Sequence, residues 1–78
     1  MVAITIEDSY MRHNTYKDAS VNQLVSVLQG VAQLASDGFS VSIRNIPMDR
    51  VQNIVIDITQ GSNESIDLIC RYIISIEE

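Results

Sequence analysis

The chain has 78 residues, 46% of them hydrophobic and 19% charged, with a net charge of -5; this fits one small core and excludes a chain too polar to fold. Surface scaling hides only about 60% of the unfolded surface at this mass, and a lone cysteine, Cys70, with a lone histidine, His13, excludes an intrachain disulfide or a Cys/His metal clamp as a staple. Twelve isoleucines and eight valines leave packing, or association with a second chain, to supply stability, and association is the expectation.

The first residues are apolar but lack a basic flank, and no stretch reaches the length of a membrane span, so a cytoplasmic, reducing location without membrane contact is expected. Val2, Ile4 and Ile6 alternate with Ala3 and Thr5, which predicts a strand over Val2 to Ile6. From Tyr10 to Lys17 the chain gathers two of its three tyrosines with Arg12, His13 and its one lysine, the mixture of a recognition loop. A period of three and four then sets in at Val21, Leu24, Val25, Leu28, Val31, Ala32 and Ala35, predicting a helix over Ala19 to Ser36. Ser20 and Gln23 form a possible capping box at its start, with Asp18 as a competing cap, and Asp37-Gly38 supplies the left-handed stop.

Phe39, Val41 and Ile43 alternate with polar neighbours, as do Ile54, Ile56 and Ile58, so an antiparallel hairpin is expected around a turn at Pro47-Met48-Asp49. After Gly61-Ser62-Asn63, the spacing of Ile66, Ile69, Cys70 and Ile73 predicts a second helix over residues 64 to 76, with Glu64 and Asp67 in its first turn. Leu68, Cys70, Tyr72, Ile74 and Ile76 also alternate, so a strand is the open alternative there. The predicted fold is one α+β domain spanning residues 1 to 78, in the order β-α-β-β-α. Its three-stranded, mainly antiparallel sheet carries both helices on one face.

Between Asn22 and Ser36 the first helix has no charged residue, and its polar stripe is made of Asn22, Ser26, Gln29, Gln33 and Ser36. Uncharged amides and hydroxyls suit a surface that another protein covers. Asn22, Ser26, Val27, Gln29, Gln33 and Leu34 are therefore the expected homodimer interface. Tyr10, Arg12, His13 and Tyr16 are expected to bind a partner, together with the acidic residues Asp57, Glu64 and Asp67 of the C-terminal third, where Glu77 and Glu78 add to the negative charge.

Scattered arginines and net acidity argue against direct nucleic-acid binding. The expectation is a non-enzymatic interaction module, homodimeric, directed at a protein partner with a basic, nucleic-acid-binding surface. Phage-type antagonists of host defence work by this logic, and the analogy is one of class alone. His13 has no nucleophile at a diagnostic spacing, and Cys70 falls on an apolar stripe. Glycine motifs for phosphate and spaced metal ligands are lacking, so neither a cofactor nor a metal is expected. A different class stays open: a small oligomeric enzyme or ligand-binding domain with a site between subunits around His13, Tyr10 and Arg12.

Overall fold

A computed structural model describes residues 1–10, 12–62 and 65–77. Among them, five strands and one helix follow in chain order: β1 (Val2–Asp8), β2 (His13–Tyr16), α1 (Val21–Ser36), β3 (Ser40–Met48), β4 (Val51–Ser62) and β5 (Ser65–Glu77). All four strand pairings are antiparallel, and the strands make a single sheet in the order β2-β1-β5-β4-β3. The expectation of three strands and two helices is overturned, although the mixed α and β character stands.

The second helix is replaced by β5, the middle strand of the sheet. Its misleading spacing has a physical source. Ile58 pairs with Cys70 but Thr59 pairs with Leu68, so Ile69 is an extra residue at a β-bulge. That insertion breaks the period of two and leaves Ile66, Ile69, Cys70 and Ile73 at helix-like steps. Between two neighbours, β5 gains ladder hydrogen bonds on both edges, and its β-branched isoleucines favour the pleat. The other missed element, β2, has four exposed residues and no apolar alternation. It pairs with β1 from Ile4↔Tyr16 to Glu7↔His13, and the hydroxyls of Thr5 and Thr15 meet at 3.1 Å across the pair.

The helix starts and stops where its caps place it. Ser20 and Gln23 form a reciprocal capping box. At the other end Gly38 lies at φ 97°, and its N–H donates to the Ala35 carbonyl while that of Phe39 donates to Leu34. This is a complete Schellman closure, in which a residue without Cβ takes the left-handed position. Pro47 and Met48 belong to β3 rather than to the turn, which is Asp49-Arg50 with Asp49 at φ 55°.

Because α1 joins one edge strand, β2, to the opposite edge strand, β3, it crosses the sheet and covers one face. Residues paired across strands point to the same side, so that face carries Val2, Ile4 and Ile6, then Tyr72, Ile74 and Ile76, then Ile54, Ile56 and Ile58, then Val41 and Ile43. Val31 is buried against Ile56, Ile58 and Ile74, with Leu24, Val27, Leu34, Phe39 and Val41 around them. Val27 and Leu34, expected in a dimer interface, thus pack on this core. Val21, Val25 and Leu28, expected to face inward, are exposed.

Candidate functional site

The β1–β2 turn is organised by one carboxylate. Asp8 accepts hydrogen bonds from the backbone N–H of Tyr10 at 2.9 Å and of Arg12 at 3.1 Å, and from Arg12 Nε at 2.9 Å. The Asp8 N–H donates in return to the Arg12 carbonyl. Desolvation opposes ionisation of Asp8, but the two backbone donors and the Arg12 guanidinium outweigh it and hold the carboxyl below its ordinary value. Arg12 lies over the Tyr10 ring, 5.4 Å from its centroid, at the distance of a cation–π contact. Tyr10 remains 78% exposed. An aromatic ring and a guanidinium are therefore held out from the body of the protein by residues whose backbone N–H groups are tied to Asp8. Met11, inside the same turn, lies outside the described residues.

The uncovered face of the sheet is a second candidate. Register places Asp57, Arg71, Glu7 and His13 in one row across four strands. Asp57 accepts from Arg71 Nε and, at 3.1 Å, from an Arg44 guanidinium nitrogen, while Arg71 also lies 3.7 Å from Glu7. The hydrogen bond to Asp57 pushes the Arg71 guanidinium up, against partial desolvation, and the Asp57 and Glu7 charges add to it. Beside this row Val55 is buried and Ile73 half-buried, and Ser75 donates to Asn53 at 2.7 Å. Asp57 is thus occupied by two arginines and is not a free acidic contact.

A shallow cavity of about 290 Å³ opens between α1 and the β1–β2 pair, lined by Ile4, Ile6, Tyr16, Asn22, Gln23, Ser26 and Val27. The predicted partner residues are therefore divided: Tyr10 and Arg12 at the turn, His13 toward the open face, and Tyr16 on the helix side. Asp67 is exposed in β5 opposite Gln60. About ten residues of strand, roughly 33 Å, separate it from Glu77 at the other end. Glu64 and Glu78 lie outside the described residues, and the described acids do not form one patch. Asn22, Ser26, Gln29 and Gln33 are exposed along α1.

Cys70 is half-buried and packs against the core. Burial pushes its thiol up from the ordinary value, against a hydrogen bond with Tyr72, so the thiolate is disfavoured. Among the described residues no group of three or more His, Cys, Asp and Glu side chains could hold a metal ion, and no helix is long and apolar enough to cross a membrane.

Neither the turn around Asp8 nor the Arg44–Asp57–Arg71–Glu7 ladder has a signature in the sequence pattern. The ladder follows only from register, which a stretch read as helix could not supply. No protein-family model matches this chain, and comparison with curated proteins and with solved structures finds no significant match either.

Proposed function

We propose that this chain is a non-enzymatic protein-interaction module that presents Tyr10, backed by Arg12, as its anchor for a basic protein partner. The observation that carries the proposal is the pre-organised turn: an exposed tyrosine whose backbone is tied to Asp8 and whose ring lies under Arg12. Tyrosine and arginine are the residue types that dominate interface energetics. A turn fixed before binding avoids the entropy of ordering it on contact. The basic character of the partner follows from the net charge of -5, which favours encounter with a surface of opposite sign. In its narrower form the proposal makes the partner a nucleic-acid-binding protein whose basic surface this chain occupies.

The test is affinity capture from a lysate of the organism that makes the chain, with the wild-type chain, Tyr10→Ala and Arg12→Ala in parallel. The expected result is a protein retained by wild type and lost with both variants, whose association rate falls as salt rises. Identical capture by all three chains would remove the turn from the proposal. Competition with nucleic acid for the captured protein tests the narrower form.

A further inference from the structure

The exposed side of α1 carries a second apolar stripe. Val21, Val25, Leu28, Ala32 and Ala35 recur at steps of four and three, the spacing of a helix seam that packs on another helix. Val21 is 76% exposed, Val25 43% and Leu28 49%, while the sheet is met by Leu24, Val27, Val31 and Leu34. Helical geometry at about 100° per residue places the seam on the flank of α1 opposite to Asn22 and Ser26. Those two residues overlook β1 and β2 through the cavity, so the seam overlooks the side of β4 and β3. There Ile43, on the same face of the sheet as Ile56, is also exposed. The seam and Ile43 are thus both exposed, apolar and uncharged.

We infer that this surface is covered by a second copy of the chain, with the two α1 helices antiparallel and crossing near Leu28. Three observations select that occupant. First, the folded chain exposes 5604 Å², about 900 Å² more than surface scaling gives for a compact monomer of this mass, an excess to which both the open face of the sheet and this stripe contribute. One partner in a standard interface buries about 800 Å². Second, two copies with a net charge of -5 each repel wherever charges meet. The stretch from Asn22 to Ser36 holds no charged residue, so there two copies meet without burying one. Third, the seam is graded in size, with Val21, Val25 and Leu28 toward the N-terminus and Ala32 and Ala35 toward the C-terminus. Antiparallel pairing sets the large end of one helix against the small end of the other, so that side chains interdigitate. It also opposes the two helix dipoles.

This interface extends the interaction-module reading and does not depend on it, because Tyr10 and Arg12 lie on a different element. The experiment is sedimentation equilibrium over a wide concentration range on wild type, Leu28→Glu and Tyr10→Ala, with circular dichroism as the control for folding. Wild type and Tyr10→Ala are expected to be dimers, and Leu28→Glu to dissociate about thirtyfold more readily or worse. Leu28→Cys is the second measurement. Near the two-fold axis it should form a disulfide-linked dimer on mild oxidation, whereas Val21→Cys alone should not, since seven residues put it roughly 10 Å from the axis. A mixture of Val21→Cys and Ala35→Cys should crosslink, and the wild-type chain, with Cys70 alone, sets the baseline. A wild-type monomer at all concentrations overturns the inference while leaving the Tyr10 proposal standing. A dimer insensitive to Leu28→Glu overturns the interface, and crosslinking of Val21→Cys with itself overturns the antiparallel arrangement.

Discussion

The two faces of the sheet hold together by different means. Beneath α1 the contacts are between isoleucines and valines, with Ile4, Ile56, Ile58 and Ile74 almost without exposure. On the open face Arg71 bridges Asp57 and Glu7, Arg44 adds a second cation to Asp57, and Ser75 meets Asn53. The first face draws on removal of apolar surface from water. The second keeps its polar groups partly wetted and pairs them across neighbouring strands, each pair contributing a fraction of that amount. One small sheet can therefore leave a whole face uncovered, because the side chains there satisfy one another.

Substitutions rank the two faces. Ile58→Ala, at 0% exposure, is expected to cost about 2–5 kcal/mol through lost burial and a residual cavity, a large share of the stability of so small a domain. Urea denaturation reads the loss as a lower midpoint. Asp57→Ala leaves Arg44 and Arg71 without their shared acceptor and is expected to cost about 1–3 kcal/mol, less than Ile58→Ala in the same titration. If the two variants prove equally destabilising, the open face contributes as much as the core and the contrast between them fails. A double-mutant cycle over Asp57 and Arg71 isolates the pair itself, and a coupling indistinguishable from zero would mean that the ladder only fills space.

A local comparison within α1 comes next in size. Its C-terminus depends on Gly38 at φ 97°, where a Cβ meets no neighbouring atom. Gly38→Ala therefore tests backbone strain free of any clash and is expected to cost about 1 kcal/mol. Ser20→Ala removes one half of the capping box and is expected to cost about as much.

These contrasts also explain how far the sequence could be read. The helix was legible because caps and period agree: Ser20, Gln23 and Gly38 mark its ends, and the uncharged stretch between them has one register. Its orientation was not legible, because two apolar stripes, one through Leu24, Val27, Val31 and Leu34 and one through Val21, Val25, Leu28, Ala32 and Ala35, lie side by side. Only the packed sheet decides between them. The strands β1, β3 and β4 were visible because alternation is unbroken over their cores. In β5 the bulge at Ile69 erases it, and without β5 as a strand no register joins Asp57 to Glu7. β2 is hidden for a different reason: it is a short edge strand whose four residues all remain exposed, so hydrophobic pattern leaves no trace of it.

The smallest expected effect on stability lies in the β1–β2 turn, where Asp8 and Arg12 pair in the open. Arg12→Ala is expected to leave the denaturation midpoint unchanged while weakening partner binding, because exposed pairs contribute little to folding. The pH dependence gives the sharper test. Asp8 is held below its ordinary value in the folded chain. Its contribution is therefore present above the pKa of the unfolded chain and is lost as pH falls through the lower, folded value. Amide resonances of Tyr10 and Arg12, which both donate to Asp8, should titrate together at a pH below the usual aspartate range. In Asp8→Asn that shared transition should disappear. A midpoint at the ordinary aspartate value would mean that the turn is not tied down in solution, and Tyr10 would lose the pre-organisation on which its role as an anchor rests.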